Sequence, residues 1–404
     1  MASLAKKYTF DTHRAADPQE TLDRVGPHLL RMGITRVANV TGLDRIGIPV
    51  VMVCRPNSRS VAVAQGKGLS LEAAKASGVM ESVETWHAER ISLPIRYACQ
   101  ADLVREAPIA DVRRLPRVRA SRFSETARIL WIPGRELNTR EEVWLPFEMV
   151  HTDFTRRTPP GHGFFPSSSN GLASGNHLLE ATCHALCEVI ERDATSVWHH
   201  LPSEAKRRTR IRPGTIDVPV CLDAMRRIEA AGLDLAVWDT CTDSGVAAFR
   251  CVIVETEGRS GHIGIGDGAH PHRGIALLRA LTEAVQTRMT YISGARDDMT
   301  PDEFAPDAID RKCRFARDLI DCGAPARDFA ACPHHDADNF AEDLAWLLSR
   351  LEGCGIEQVV SVDLTRPEVG LPVVRVVVPG LEAPHDDDNY VPGPRALAAA
   401  EALP

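Results

Sequence analysis

The sequence lacks the segments that would place the protein in a membrane or on a secretory route. None of its apolar runs approaches the roughly 20 residues that a membrane-spanning helix needs. The opening stretch MASLAKKYTFDTHR contains no apolar core of the kind found in a signal peptide. We therefore expect a cytoplasmic protein that does not interact with membranes.

Long basic blocks and regularly spaced cysteines are also missing. The 47 Lys and Arg residues are outnumbered by 55 Asp and Glu residues, which gives a formal net charge of −8. This charge disfavours a surface that binds nucleic acid by neutralising its phosphates. The 11 cysteines contain no CxxC pair, so the sequence predicts neither a disulfide framework nor a zinc ribbon.

Two short stretches nevertheless combine cysteine with histidine. Cys183, His184 and Cys187 share one predicted helix, and core roles are favoured because three close ligands of compatible type are not apparent. The stretch CPHHD is the better metal candidate by composition, although its proline- and aspartate-rich surroundings favour a solvated loop. Its potential ligands are Cys332, His334, His335 and Asp336.

Apolar periodicity predicts a mixed α/β or α+β fold. The 404 residues with 44% hydrophobic content are enough to bury a large core. Strands are predicted at 48–54, 60–65, 233–239, 249–256 and 371–379. Helices are predicted at 71–90, 177–196, 222–231, 272–293 and 338–352. Proline and glycine predict loops at 158–175, 211–220 and 379–394. No repeat or low-complexity linker divides the chain into separable domains.

Three of these helices carry polar rows beside apolar stripes. On the helix at 177–196, an arc of about 80° contains Glu180, His184, Glu188 and Glu191. The apolar stripe next to it contains Leu179, Cys183, Leu186 and Ile190. The other two rows, spaced i, i+4, i+7, are Ser77–Glu81–Glu84 and Arg279–Glu283–Gln286. Each row alone is explained by a solvated face with i, i+4 ion pairs. Three rows with few interleaved lysines favour divalent cations, which relieve repulsion between carboxylates.

A P-loop is absent, because the chain contains no GxxxxGK[ST] stretch. QGKG at 65–68 is too short for that motif, and GIGDG at 264–268 is weak support for a phosphate loop. The segment TPPGHGFFPSSSNGLASGN leads directly into the helix at 177–196. Its glycines and serines can form an anion cradle at the helix N-terminus, where N–H groups and the helix dipole favour phosphate.

Three sequence blocks resemble the YcaO family of ATP-dependent enzymes that activate backbone amides of peptides. They are QGKG…KASGVMESVE, SNGLASGN…EATCHALCEVIERD and GIALLRALTEAVQTRM…GARDD, within a resemblance that covers about residues 10–395. The pattern SNGxAxGxxxxEAxxxxxxEVIERD in the second block is long enough to be highly specific. The resemblance implies an α+β fold with mixed or antiparallel sheets and a Mg-ATP site. It also implies an N-terminal segment at 1–56, a catalytic domain at 57–395 and a tail at 396–404.

The resemblance assigns site residues position by position, mainly on the three helices. It implies Mg2+-binding glutamates at Glu81, Glu84, Glu188, Glu191 and Glu283. It implies nucleotide contacts at Asn176 and Glu180, and in less secure matches at Ser77, Arg14 and Thr21. Arg192 and Arg279 are implied near phosphate, where a guanidinium stabilises the charge that develops during phosphoryl transfer.

The implied chemistry requires no nucleophile from the protein. In the family, a nucleophile adds to the amide carbonyl, ATP phosphorylates the oxygen, and phosphate then leaves. A Cys, Ser or Thr side chain of the substrate gives an azoline, whereas an external sulfide gives a thioamide. None of the 11 cysteines is therefore assigned as a nucleophile.

Two segments, one near each end of the region that resembles the family, favour thioamide formation. Residues 34–68 and 376–404 resemble the subgroup that works with TfuA proteins, and the tail lacks the PxPxP run of many azoline-forming cyclodehydratases. We expect a peptide or protein substrate and a TfuA-type partner, and the resemblance also allows a homodimer. An azoline-forming cyclodehydratase, a non-catalytic accessory protein and a two-metal phosphoesterase stay open as alternatives.

Overall fold

The computed structural model describes residues 4–155, 159–256, 261–321, 323–324 and 326–401. The chain forms two compact units, each assembled from segments that are distant in sequence. Unit 1 contains the residues described before Lys7, the segment Val83–His200 and the residues described from Ala337 onward. Unit 2 contains Lys7–Ser82 and Leu201–Asp336. The boundaries expected after residues 56 and 395 stay a prediction.

The described residues form helices and strands in a mixed order along the chain. The α-helices are α1 (Pro18–Val25), α2 (Leu71–Ala88), α3 (Gln100–Leu103), α4 (Leu178–His200), α5 (Ser203–Arg208), α6 (Pro219–Ala230), α7 (Arg273–Ser293), α8 (Pro306–Asp321), α9 (Phe340–Gly353) and α10 (Pro394–Ala400). The first six strands are β1 (Arg36–Asn39), β2 (Val50–Cys54), β3 (Val63–Lys67), β4 (Arg96–Cys99), β5 (Arg128–Glu136) and β6 (Glu142–Pro146). The other six are β7 (Leu172–Ser174), β8 (Leu233–Asp239), β9 (Ala247–Glu255), β10 (Gly264–His270), β11 (Val360–Asp363) and β12 (Val373–Val377).

Unit 1 is built on an antiparallel sheet with the strand order β4-β5-β11-β12-β7, in which β6 also pairs with β5. Strand β12 reads VVRVV and is buried along its whole length. Such a continuous apolar run is typical of a strand covered on both faces. Helix α4 packs against β12 and β7, and also against α9 and α10. The sheet therefore supports α4, the helix with the largest set of predicted site residues.

Unit 2 contains two three-stranded antiparallel sheets, with the orders β1-β2-β3 and β10-β9-β8. Helix α7 packs on β10 and β9, and the core beneath it includes Phe249 and Leu281. Three glycines of β10 point to one face because alternate residues of a strand share a face. A Cβ atom at Gly266 would lie 2.2 Å from the nitrogen of Ala284. GIGDG is therefore the surface on which α7 packs, and its glycines serve helix contact and not phosphate binding.

QGKG has a similar structural explanation, because it lies mainly in β3. A Cβ atom at Gly66 would lie 2.0 Å from the carbonyl oxygen of Ala74 and 2.2 Å from the nitrogen of Gly78. Helix α2 therefore approaches β3 at a distance that only glycine permits. The motif also contains Lys67, the last residue of β3, whose side chain contacts Glu283 on α7.

The predicted fold class is confirmed, since the structure combines helices with antiparallel sheets. Each of the ten predicted helices and strands corresponds to an observed element, with ends displaced by up to about four residues. The prediction missed other elements, among them helix α8, strand β5 and the short strand β7, which lies in a stretch expected to be a loop. Three residues between glycines give too little periodicity to detect, and β7 is defined by its pairing with β12. No helix in the described part of the chain has the length and hydropathy to cross a membrane.

Candidate functional site

Helix α4 in unit 1 carries its acidic residues in a largely buried setting. Its predicted apolar stripe is confirmed, because all four residues of the stripe are buried. The side chain of Glu180 is only 1% exposed and that of Glu191 only 2%, whereas Glu188 and Arg192 are half-buried. A solvated acidic face is therefore excluded for Glu180 and Glu191. Burial of a carboxylate is costly without a compensating charge or hydrogen bonds, so these residues need partners.

The segment before α4 supplies such a partner for Glu180. The backbone N–H of Asn176 donates a hydrogen bond to the Glu180 carboxylate over 3.0 Å. A Cβ atom at Gly175 would lie 2.9 Å from the nitrogen of Ala181, so only glycine lets the chain run this close to the helix. In the segment that was expected to form an anion cradle, the N–H of Asn176 therefore already donates to a carboxylate of the protein itself.

The same segment contacts two more of the predicted glutamates. The N–H and the hydroxyl of Ser174 both donate to Glu84, over 2.8 and 2.7 Å. The N–H of Gly171 donates to Glu188 over 3.3 Å. Residues Gly171–Asn176, which include β7, are therefore the common contact of Glu84, Glu180 and Glu188. Unit 1 therefore brings together four residues that the family resemblance assigned one by one. They are Glu84, Asn176, Glu180 and Glu188.

A buried arginine beside Glu188 was not found from the sequence. Arg375, at the centre of β12, is 2% exposed and donates to the carbonyl oxygen of Ser168 over 2.8 Å. Burial lowers the pKa of Arg375 to about 10, and the nearby Glu188 carboxylate acts in the opposite direction. The sequence feature that could have identified Arg375 is a single arginine inside the apolar run VVRVV, because an unpaired charge is costly in such a run.

Unit 2 contains a second group of predicted residues. Lys67, at the end of β3, lies 2.5 Å from Glu283 on α7. Burial raises the pKa of Glu81 to about 7; Arg296 and Lys67 oppose this increase, and Glu283 adds to it. Two interacting carboxylates favour a divalent cation, and Lys67 already supplies part of the positive charge. Lys67 was not predicted as a site residue, because the sequence does not show that the lysine of QGKG lies beside Glu283.

The remaining residues predicted in unit 2 lie on different elements. Arg279 is half-buried on α7, one turn before Glu283, and Ser77 is exposed on α2. Arg14 is half-buried, and its backbone pairs with that of Tyr8. Thr21 is buried on α1, where its hydroxyl donates to the carbonyl oxygen of Asp17 over 3.0 Å. The contacts of Thr21 therefore already serve the helix.

The two stretches that combine cysteine with histidine make different contacts in the structure. Cys183 is buried and its thiol donates to the carbonyl oxygen of Phe340, which agrees with a core role. Cys332 is also buried, with its sulfur 3.5 Å from a carboxylate oxygen of Asp239, and burial raises its pKa to about 12. His334 and Asp336 instead form a group with His272, a residue outside the CPHHD stretch.

The chain matches a known family model and is similar in sequence to proteins of other organisms. A family model described as YcaO cyclodehydratase, ATP- and Mg2+-binding, matches residues 65–382. An uncharacterized protein in the tfuA 3′ region of Rhizobium leguminosarum bv. trifolii is 36% identical over 393 residues, which cover 95% of this chain and 92% of that protein. An uncharacterized protein of Methanothermobacter thermautotrophicus is 35% identical over 378 residues, which cover 91% of this chain and 95% of that protein.

Solved structures show the same fold. The structure of YcaO from Methanopyrus kandleri bound with AMPPCP and Mg2+ is similar with a TM-score of 0.72 and 24% identity, over 94% of this chain and 95% of that chain. A heterocyclase in complex with substrate and cofactor gives a TM-score of 0.75 and 24% identity, over 95% of this chain. The matched region is 54% of that heterocyclase, so this chain spans about half of its length.

Proposed function

Because the chain belongs to the YcaO family, we propose that it is an ATP- and Mg2+-dependent enzyme that activates a peptide backbone amide for thioamide formation. The observation that carries this proposal is the convergence of Glu84, Glu180 and Glu188 on the segment Gly171–Asn176. This segment and α4 together form the most specific block of the family pattern. The proposal thus rests on residues that are both in the family pattern and in mutual contact.

The residues of each unit fit a magnesium-bound nucleotide by their chemistry. Carboxylate oxygens are hard ligands, which Mg2+ prefers, and Mg2+ commonly combines a few of them with water and phosphate oxygens. Glu191 is 2% exposed, and burial raises the pKa of Glu81 to about 7. Ionisation of the Glu81 carboxylate is costly in its surroundings, and a bound dication offsets that cost.

The protein side of the proposed mechanism consists of binding and orientation. When bound, Mg-ATP supplies the phosphoryl group for the amide oxygen, and the metal neutralises charge on that group. Within unit 1 we assign Mg2+ binding to Glu84, Glu188 and Glu191. Within unit 2 we assign Mg2+ binding to Glu81 and Glu283. Asn176 and Glu180 are assigned to the nucleotide, together with Arg14, Thr21 and Ser77.

Two arginines are assigned to the charge that develops on the transferring group. Arg192 follows Glu191 on α4, and Arg279 precedes Glu283 by one turn on α7. A guanidinium donates several hydrogen bonds in a fixed geometry, which suits phosphate oxygens. Fixed donors of this kind stabilise a transition state without having to reorganise during the reaction.

Thioamide formation is favoured over azoline formation by two observations. The relative from Rhizobium leguminosarum bv. trifolii is a protein of a tfuA 3′ region, which supports a TfuA-type partner for this chain. Residues 376–401 contain no PxPxP run, and helix α10 packs on α4. Cyclodehydration is the second candidate, because the matching family model is described as a cyclodehydratase. Both reactions use the same activation of the amide oxygen.

Mass spectrometry of peptide products tests the proposal. The purified chain is incubated with ATP, Mg2+, sulfide and peptides encoded by neighbouring genes, with and without a TfuA-type protein encoded nearby. We expect the mass gain of an oxygen-to-sulfur exchange; loss of one water would assign cyclodehydration instead. Glu191→Gln should lower product formation by at least about 100-fold, while the exposed Glu401→Gln serves as the matched control.

Nucleotide binding tests the assignment of Glu191 to Mg2+ separately from product formation. Calorimetry with the non-hydrolysable analogue AMPPCP measures Mg2+-dependent nucleotide binding without a peptide. Glu191→Gln should weaken this Mg2+-dependent binding, and Glu401→Gln should leave it unchanged. Full Mg2+-dependent binding and full product formation by Glu191→Gln would contradict the assignment.

A further inference from the structure

A second group of side chains with potential metal ligands lies in unit 2 and contains none of the residues assigned to ATP or Mg2+. A ring nitrogen of His272, a ring nitrogen of His334 and a carboxylate oxygen of Asp336 all lie within 4.8 Å of one another. The two imidazole rings meet edge to face, with their centroids 4.6 Å apart. We propose that these three side chains bind a divalent transition-metal ion such as Zn2+ or Co2+.

The loop that carries His334 is held next to His272 by backbone contacts. The N–H of His335 donates to the carbonyl oxygen of Pro271 over 2.9 Å. The N–H of Arg273 donates to Nδ1 of His334 over 3.4 Å. These contacts connect the loop to the turn at the start of α7. The three ligands are therefore brought close without an ion. Binding of an ion through Nε2 of His334 would release the Arg273 contact and keep the backbone hydrogen bond between His335 and Pro271.

The ligand types determine which ions the group would select. Two imidazoles and one carboxylate suit Zn2+, Co2+ and Ni2+, whereas Mg2+ prefers oxygen ligands alone. His334 and Asp336 are exposed and His272 is half-buried, so water can complete the coordination shell. Partial desolvation and the neighbouring Arg273 lower the pKa of His334. This shift favours the neutral ring, which is the form that coordinates a metal.

The helix cap formed by His272 competes with metal binding. Nδ1 of His272 accepts hydrogen bonds from the N–H groups of Gly274 and Ile275 over 3.2 and 3.4 Å. A neutral imidazole that binds a metal through Nε2 carries its proton on Nδ1, so this cap is lost on binding. A side-chain cap contributes about fivefold to tenfold in an equilibrium constant. Metal binding has to offset this loss, so the cap lowers the affinity of the site by the same factor.

A bound ion would tie the loop at 332–336 to the first turn of α7. The same helix carries Arg279 and Glu283 further along. The ion would therefore act as a structural clip for the beginning of α7, and binding should raise the melting temperature of the protein. This effect does not depend on the proposed ATP chemistry.

Cobalt titration of chelator-treated, untagged protein tests the proposal. Excess Mg2+ is present throughout, so that the carboxylates assigned to Mg2+ are occupied. We expect one Co2+ per chain with micromolar affinity, visible absorption of a coordinated Co2+ centre, and displacement by Zn2+. His334→Ala and Asp336→Asn should each weaken binding at least tenfold. His28→Ala, at a half-exposed histidine of the same unit outside the group, should bind as the unchanged protein does.

Two outcomes would overturn the proposal. One is binding only at millimolar Co2+, and the other is equal affinity in His334→Ala, Asp336→Asn and the unchanged protein. Both substituted residues are exposed, so circular dichroism should show that the variants stay folded. AMPPCP binding measured on the same variants separates this proposal from the proposed function, because either can fail alone.

Discussion

The ammonium group of Lys67 lies 2.5 Å from a carboxylate oxygen of Glu283. Lys67 ends strand β3, and Glu283 lies on helix α7, so the pair joins two elements of unit 2. Each side chain is about a fifth exposed, which leaves the pair partly screened by solvent. Since Glu283 is a proposed Mg2+ ligand, lysine provides the positive charge that a dication would otherwise supply. Lysine and Mg2+ therefore compete for this carboxylate.

Substitution of this lysine should strengthen Mg2+ binding. Lys67→Met removes the competing charge, so we expect the affinity for Mg2+ in the presence of AMPPCP to rise about threefold to tenfold. Without Mg2+, Glu283 and Glu81 lose a neighbouring cation, and the melting temperature should fall. Calorimetric Mg2+ titration measures the first effect and a thermal melt the second. Lys67→Arg keeps the charge and is the control; weaker Mg2+ binding by Lys67→Met would show that Lys67 assists the metal.

Glu81 should make stability depend on pH in the absence of Mg2+. Burial raises its pKa to about 7 from an ordinary value of 4.5, so the folded chain binds more protons than the unfolded chain between these values. The contribution of Glu81 to the free energy of unfolding is therefore fully present below about pH 4.5 and is lost as pH rises to about 7. The loss amounts to at most about 3 kcal/mol.

Urea unfolding of the unchanged protein and of Glu81→Gln at pH 5 and pH 8 measures this contribution. We expect the unchanged protein to lose stability relative to Glu81→Gln as the pH rises. Mg2+ binding should also strengthen between pH 6 and pH 8, because the ion displaces the proton of Glu81. Equal pH dependence of the two proteins would contradict the assigned pKa.

The packing role of GIGDG predicts a large loss of stability in Gly266→Ala. The new Cβ atom would lie 2.2 Å from the nitrogen of Ala284 and 2.3 Å from the carbonyl oxygen of Ala280. Backbone cannot yield at these distances without displacing α7 from β10, so we expect a loss of about 3 kcal/mol or more in the free energy of unfolding. Gly26→Ala is the control, because its Cβ would have no atom within 4 Å. Equal stability of the two variants, measured in urea, would disprove the packing role.

Glu382 should be essential for the order of the C-terminal segment. It is 4% exposed, and its carboxylate accepts hydrogen bonds of 2.8–3.1 Å from the Tyr390 hydroxyl and the N–H groups of Gly393, Arg395 and Ala396. Glu382→Ala leaves these donors without their acceptor, so we expect a loss of about 3 kcal/mol or more. Urea unfolding measures the loss, and limited proteolysis should show faster cleavage after residue 390. Exposed Glu401→Ala is the matched control, and similar behaviour of both variants would refute the role of Glu382.

The sequence by itself predicted five of the helices and identified the family. The periodicity of apolar residues predicted α4 and its buried stripe, because side chains one turn apart share a face and the apolar face turns inward. The fixed spacing from Ser169 to Asp193 identified the family pattern. The roles of Glu191, Arg192 and Arg279 stay predictions. These features depend on residues close in sequence, and local geometry fixes their relation.

Only the tertiary structure decided which of these residues share contacts. Ser174 meets Glu84 and Lys67 meets Glu283, pairs that lie 90 and 216 residues apart in sequence. Strand β7 exists because β12 offers it hydrogen bonds, and Arg375 matters because the same strand carries it beside Glu188. Likewise, His272 joins His334 and Asp336, whereas Cys332 points to Asp239. Such contacts arise when distant segments pack together to bury apolar surface, and no local spacing encodes them.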